Sequence, residues 1–494
     1  MNTPVPSAAV ADAPVADVAL QQPVPDIATL SLREALALLD EQLAGRVHLS
    51  GDPDWDAART AWNLDVDQRP AVVVTARSTE DLVRTVSFGA RYGLAVAPQG
   101  TGHNAGPLAA DNGLADAILL RTHELRGVEI DAERRVARVE AGALWGDVVA
   151  AAAPHGLAAL AGSSHDVGVV GYTLGGGVSW LARTHGLAAN QVLAVEIVTA
   201  DGRLRRVDEE HDAELFWAVR GGGGDFGVVT ALEFRLFPIT EVVAGMLLWP
   251  VERAEEVAAV WADWTSTVPD AVQSVVRIMH LPPLPELPPF LSGRSVVIVE
   301  AVVLDSPAKA DELLAPLRAL EPELDTIHPQ SPAELLALHM DPPGPVPGRG
   351  DGMMLRELPP AAVRAFVGAV GAGSDTALFT TEIRHLGGAV EPDAAVQRSA
   401  ELGLPVPGAT AGFEANYLVF AGAMAMPGAD EAIARSLGRL FSQIEPWRAP
   451  EEYLNFAEQR RDAVQFFGGR LARLRALKRA IDPTRVIRSN HPVG

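Results

Sequence analysis

A chain of 494 residues exceeds what one hydrophobic core ordinarily supports, so about two to four structural units are expected. Its 63 acidic against 40 basic residues give a net charge of −23, which argues against a nucleic-acid partner. With no cysteine, the chain has no disulfide, thiolate metal site, cysteine nucleophile or thioether link to a prosthetic group.

No apolar run reaches the roughly 18–20 residues that span a bilayer. The N-terminus shows no basic segment ahead of an apolar one and no twin arginine, so no membrane partner and a cytoplasmic location are expected. Residues 1–28, rich in Ala, Pro, Val and Asp, read as a flexible tail. Leu32, Leu36, Leu39 and Leu43 then fall at helical spacing. The wholly apolar run 71–76 suits a strand buried on both faces, as in a parallel sheet. Ser78 and Asp81 resemble a capping box. They open a helix whose apolar face is Leu82, Val83, Val86 and Ala90, and Gly93 is placed to end it. Residues 94–98 give the next strand. This β–α–β unit delivers the loop 99–106 at a strand's C-terminal end, where open α/β sheets bind ligands.

That loop reads Gln99, Gly100, Thr101, Gly102, His103, Asn104, Ala105, Gly106. Its three glycines let the backbone approach a ligand closely. The spacing is not that of the Rossmann fingerprint, and no helical pattern opens directly behind it. Strands follow at 117–121, 127–131 and 136–141, then a helix at 144–153. A second glycine-rich stretch runs from 161 to 178. Strands 192–199 and 203–207 form a hairpin across Asp201 and Gly202, a favoured turn pair. A glycine cluster at 221–224 precedes the apolar run 228–237.

From about 240 the texture changes. Strand candidates at 242–248, 272–279, 295–304, 377–385 and 415–425 alternate with helix candidates at 254–265, 308–320, 361–370 and 430–444. Two segments, 281–290 and 341–352, read as loops, either lids or connectors. The last part carries Tyr453, Leu454, Asn455 and Phe456, then a helix with Leu471, Leu474, Leu477 and Ile481. Arg470, Arg473, Arg475, Lys478 and Arg479 read as a solvated helix face. His48, His123, His155, His211, His280, His328 and His339 have no metal-ligand spacing and read as surface or structural, so no metal is expected.

Five stretches in order resemble one family, the berberine-bridge-enzyme-like branch of the vanillyl-alcohol-oxidase and p-cresol-methylhydroxylase flavoproteins. They are Asp67 to Ala71; the 99–106 loop; 162–178; 222–235; and Tyr453 to Phe456 with Phe466 to Gly468 and 477–484. The resemblance implies an α+β fold. An FAD-binding domain of the p-cresol-methylhydroxylase type would be made from both ends of the chain, residues 29–239 (core about 66–239) and 447–494. An α/β substrate domain, an antiparallel sheet flanked by helices, would be inserted at 240–446.

FAD is the cofactor implied. Gln99, Gly100, Thr101, Gly102, His103 and Asn104 would meet it from the first loop. Ser163, Ser164, Val167, Gly168, Gly171 and Gly175 would do so from the second. Ile197 and Val198 match the hairpin backbone that holds adenine, Val228 and Val229 match a further contact, and Tyr453 and Asn455 lie beside the flavin. For the apolar members, core packing explains the pattern equally well. His103 matches the histidine that bonds the flavin covalently in many members. Thr101 stands where glycine is commoner. Ser164 stands where bicovalent members have cysteine, so the only family-type link left is at His103. Asp225 replaces the usual asparagine. A buried anion there would be unfavourable, so a solvent-facing side chain is expected and no role is assigned.

The implied reaction is hydride transfer from a substrate C–H bond to the flavin, with a base taking the substrate proton. Tyr453 is the first candidate, although a tyrosine near its reference pKa of about 10 is a poor base at neutral pH. Thr380, Glu382 and Arg384 share one face of a strand, and Thr381, Ile383 and His385 the other. Glu382, Tyr417 or His385 would touch substrate if the sheet floors the site; a solvent-facing strand gives the same pattern. The partners implied are a small-molecule substrate (an alcohol, a sugar or a natural product) and O2 as electron acceptor, acting on a monomer or homodimer. A dehydrogenase with another acceptor, an oxidative cyclase, and a flavin-binding protein without turnover use the same motifs.

Overall fold

The computed structural model describes residues 30–283, 285 and 291–494. The expected tail, and the proline-rich loop apart from 281–283 and 285, lie outside these residues. The architecture is mixed α+β, with three sheets.

The first sheet runs in the order Arg46–His48, Val72–Thr75, Ala117–Arg121, Ala95–Gln99, and its last three strands are parallel. Every residue of Val72–Thr75 and Ala117–Arg121 is buried, which is why both strands are apolar without alternation up to their last residues, Thr75 and Arg121. Helix Thr79–Tyr92 joins two of the strands. Its N-cap Ser78 accepts from the Asp81 N–H, and Gly93 ends it in the left-handed region at φ 70°. The capping box is only half made, because the Asp81 carboxylate instead accepts the N–H groups of Ala44, Gly45 and Arg77 at 2.8–2.9 Å.

The second sheet is antiparallel, in the order Val128–Asp131, Val136–Glu140, Val228–Arg235, Val192–Val198, Leu204–Val207. The Asp201–Gly202 hairpin forms as the turn pair predicts, with Gly202 at φ 76°. Helix Leu471–Ile481, from the far end of the chain, packs Leu471 and Leu474 into the apolar cluster beneath this sheet. The chain then runs along the first sheet, where Val96 N–H donates to Val486 O and Arg488 N–H to Val96 O. The C-terminal segment therefore braces the strand that leads into the first glycine-rich loop.

Two expectations about this region need correction. Lys478 is not solvated: its Nζ donates to Asp482 at 2.8 Å and to the carbonyls of Asp225 and Ile487, and the residue is 4% exposed. Asp225 does not face solvent either. It is 1% exposed, receives the Ser489 hydroxyl and the Val493 N–H, and lies 3.5 Å from Lys478 Nζ. A buried cation and two backbone-anchored segments make the anion tolerable there.

The third sheet has eight antiparallel strands. Its path is Leu324–Asp325, Val242–Pro250, Ser295–Val303, Val272–His280, Thr380–His385, Tyr417–Met424, Gly348–Leu355, with His328–Gln330 beside Val242–Pro250. One face packs against helices Ala254–Thr265, Pro307–Arg318, Pro360–Val370 and Asp430–Ile444. Strand Gly348–Leu355 and helix Pro392–Leu402 escape the sequence pattern. Three glycines erase the strand's alternation. Two of them serve packing, since a Cβ on Gly350 would lie 2.7 Å from the Phe420 ring and one on Gly352 2.8 Å from Phe456 Cβ, whereas one on Gly348 would meet nothing within 4 Å.

Candidate functional site

The first loop, the second glycine-rich stretch and the C-terminal return converge. Gly102 adopts φ 85° and closes on Ala61, which turns His103 toward the second stretch. The His103 ring stacks on Trp62, with centroids 4.1 Å apart and planes 17° from parallel. Its Nδ1 lies 2.8 Å from Thr101 Oγ1, and its Nε2 lies 3.5 Å from Asp166 Oδ1. Asp166 also accepts from Trp62 Nε1 at 2.5 Å and from Ser164 Oγ at 2.8 Å. Burial would raise its pKa, but the donors His103, Trp62 and Ser164 hold the carboxyl well below the usual range. Trp62 and Asp166 carry no sequence signal of their own; only their convergence on His103 reveals them.

Asn104 donates to the carbonyls of Leu454 and Ala457, tying the first loop to the segment that carries Tyr453. Tyr453 is 3% exposed. Its hydroxyl oxygen accepts the Val178 N–H at 3.0 Å and the Asn455 amide at 2.9 Å. The same Asn455 amide donates to Tyr172 O, and a Cβ on Gly175 would fall 1.9 Å from Asn455 Oδ1. Gly175 is therefore a packing requirement of the Tyr453–Asn455 pair. Burial raises the Tyr453 pKa, and the two N–H donors and Arg384 counter only part of that.

The floor beneath is the other face of the third sheet. Register aligns Arg277 with Glu382, Val275 with both Glu300 and Arg384, and Glu382 with Phe420. These side chains form a buried chain of charge. Arg277 donates to Glu300 at 2.8 Å, and His339 reaches Glu300 and Glu382 at 2.7 Å each. Glu382 takes Arg384 at 2.5 Å. Arg384 lies 5.1 Å from the Phe456 ring, which sits edge-on to Tyr453. Burial and Arg277 lower the His339 pKa, but Glu300, Glu382 and Asp341 outweigh them and raise it to about 9. Glu382 is held well below its usual value: burial opposes this, and Arg384 and His339 prevail. Ser163 from the second stretch donates to Asp341 at 2.9 Å, and Trp180 packs edge-on to His339.

The structure thus separates the candidates read from the sequence. Glu382 is on the site-facing side of a central strand, not a solvent-facing one, but both its oxygens are engaged. Tyr417 is on the opposite face, bonded to Thr265 and packed by Trp261 among the helices. His385 goes with it, 3.0 Å from Arg183 and stacked on Tyr417. His339, read from sequence as structural, is the middle of the charge chain. Gln99 does not point to the site, because its amide pairs with Gln68. Ile197, Val198, Val228 and Val229 are core residues at 0–4% exposure, and the first two pair with strands on both sides. Val167 packs against the second sheet's core, and its carbonyl accepts the Trp145 N–H.

The donor set fits FAD. Asn104 Oδ1 is buried without a hydrogen-bond partner, a Cβ on Gly171 would meet nothing within 4 Å, and Cβ atoms on Gly100 and Gly168 would have neighbours no closer than 3.7 Å. This is backbone left bare for close approach by a flat, polar-edged group.

A family model described as an FAD binding domain matches residues 70–208. The chain is 30% identical over 320 residues to the FAD-linked oxidoreductase YvdP of Bacillus subtilis, covering 63% of this chain and 67% of that protein. It is 34% identical over 208 residues to the (R)-6-hydroxynicotine oxidase of Paenarthrobacter nicotinovorans, but spans only 45% of that protein's length. Its fold matches BBE-like 1 of Physcomitrella patens with a TM-score of 0.77 at 19% identity, over 93% of this chain and 99% of the other. The chain belongs to the FAD-linked oxidoreductases, and its fold is the one the sequence resemblance implies.

Proposed function

We propose that this protein oxidises a C–H bond of a small alcohol, sugar or natural product, with the flavin joined once through His103 and its electrons passed to O2. Bound between the two glycine-rich stretches and the sheet, FAD would accept the hydride. The observation that carries the reading is Tyr453, a buried phenol between the second glycine-rich stretch and the charged floor, with two N–H donors on its oxygen. The names of similar proteins, a 6-hydroxynicotine oxidase and a glucooligosaccharide oxidase, support the reaction class.

As the C–H bond breaks, the substrate's O–H or N–H proton must leave, or a protonated product builds up. Tyr453 takes that proton as phenolate. Val178 N–H and Asn455 stabilise the phenolate and fix where its lone pairs point, while Arg384 adds a positive field through the Phe456 side. Burial works against ionisation, so activity should climb with pH through the alkaline range. Glu382 has no free oxygen for substrate; it holds Arg384 in place, and His339 holds Glu382.

Anaerobic mixing with alcohol, sugar and amine substrates, followed by loss of flavin absorbance, tests this. Tyr453→Phe should slow reduction by about a hundredfold or more; an unchanged rate removes Tyr453 from the mechanism. Admitting air to the reduced protein tests the acceptor: a reoxidation half-life of minutes would assign a dehydrogenase instead.

A further inference from the structure

We propose that Asp166 is the positioning residue for the flavin bond at His103: it fixes the proton on Nε2, leaves Nδ1 as the bond-forming atom, and balances the charge that the bond creates on the ring. This rests on the reading of His103 as the tether.

Three features of the molecule carry it. The Trp62 ring stacks on the imidazole, Thr101 Oγ1 holds Nδ1 at 2.8 Å, and Nε2 is buried without a hydrogen-bond partner, facing Asp166 Oδ1 at 3.5 Å. Asp166 is itself fixed by two further donors from different parts of the chain, Trp62 Nε1 and Ser164 Oγ. Its carboxyl is held well below the usual range, with burial opposing and the donors His103, Trp62 and Ser164 prevailing, so it stays an anion across the working pH range. A carboxylate facing Nε2 selects the tautomer with the proton there, and the Nδ1 lone pair is then available. The Thr101 hydroxyl donates to that lone pair and can rotate away.

The chemistry closes. A bond forms between Nδ1 and the methyl carbon of the flavin ring, which gives up one proton. The ring becomes an imidazolium, which Asp166 stabilises, and it then releases the Nε2 proton. Two electrons remain on the flavin until O2 removes them as H2O2. The 3.5 Å contact from Nε2 to Asp166 would shorten once the ring is charged.

The test uses the full-length chain, prepared free of flavin and mixed with FAD in air. Acid precipitation then separates bound from attached flavin, and mass spectrometry counts the attached fraction. Asp166→Asn should bind one FAD per chain yet attach it at least about tenfold more slowly, and Asp166→Glu should recover most of the rate. A merely structural role would lower binding and attachment together. Attachment by Asp166→Asn at the wild-type rate overturns the proposal while leaving the His103 tether standing. The wild-type protein supplies a second measurement: the isomer of the histidyl–flavin fragment after proteolysis. A bond through Nδ1 is expected, and one through Nε2 overturns the role given to Asp166. If the wild-type chain releases all its flavin, the tether and the role of Asp166 both fall.

Discussion

Strand Thr380–His385 has two faces that follow different rules. Ile383 points into the helix layer, in a cluster that includes Trp261, Phe366 and Leu440. Glu382 and Arg384 point the other way, into the chain of Arg277, Glu300 and His339. The first face is held by area: each fully buried aliphatic side chain contributes about 1.5–3 kcal/mol, and neighbours of similar volume would substitute for it. The second face is different. Taking charges out of water costs about as much as their mutual attraction returns, so apolar residues of the same shape would stabilise the sheet as well or better. A buried charge chain on the side that meets Tyr453 is therefore accounted for by what it positions, not by stability. One face should tolerate apolar exchanges that keep its volume; the other should tolerate no loss of a single charge.

The largest effect should come from His339. Replacing it with Gln leaves Glu300 and Glu382 without their shared cation and should cost about 3–5 kcal/mol of unfolding free energy. The pH dependence identifies the cause. The His339 pKa is raised to about 9 in the folded protein, against about 6.5 for a free histidine. Its stabilising charge is thus fully present below about pH 6.5 and is lost as the pH rises through about 9. Denaturant unfolding of wild type and His339→Gln should show a wide gap at pH 6 that narrows by pH 10. A gap of constant width would mean that His339 acts by packing alone and that the two faces do not differ in kind.

Next in size is Ile383→Ala on the opposite face. Ile383 is 1% exposed, and the cavity should cost about 3 kcal/mol. The flavin reduction rate, measured well below the lowered Tm, should stay within about twofold of wild type. A large loss of rate in a folded Ile383→Ala protein would show that the helix layer also sets the geometry of Glu382 and Arg384.

What the sequence made legible follows from range. Ser78 and Gly93 bound a helix through contacts within a few residues, and Asp201–Gly202 sets a hairpin the same way. The glycine-rich loops also announce themselves locally, since bare backbone needs glycine wherever it occurs. Alternation placed Glu382 and Arg384 on one face but could not say what that face meets, because the answer lies in residues 160–190 and 339. His339 sits in a segment with no periodic pattern, and its partners come from two distant strands. Asp166 lies within a stretch the sequence marked, but nothing there singles out the residue itself, and Trp62 stands outside the marked stretches; both matter through His103. Strand Gly348–Leu355 was hidden for a further reason: glycine at 348, 350 and 352 removes the side chains whose alternation reveals a strand.

The smallest effect should come from the other buried charge group, and it sharpens the comparison most. Lys478 joins Asp482 at 2.8 Å and two carbonyls, while Asp225 is 3.5 Å away and takes its hydrogen bonds from Ser489 and Val493. Asn at 225 can accept the Val493 N–H and donate to Ser489, whose hydroxyl turns to accept, so Asp225→Asn should change unfolding free energy by less than about 1 kcal/mol. Burial raises the Asp225 pKa, with Lys478 countering only part. The wild type is then favoured by this group below the ordinary carboxylate pKa, and that advantage is lost as the pH rises through the folded value. Asp225→Asn should remove that part of the pH dependence. If it instead costs about 3 kcal/mol at pH 7, Lys478 depends on Asp225 as Glu382 depends on His339. The C-terminal return would then be held by a charge pair under the same rule as the charged face of the sheet.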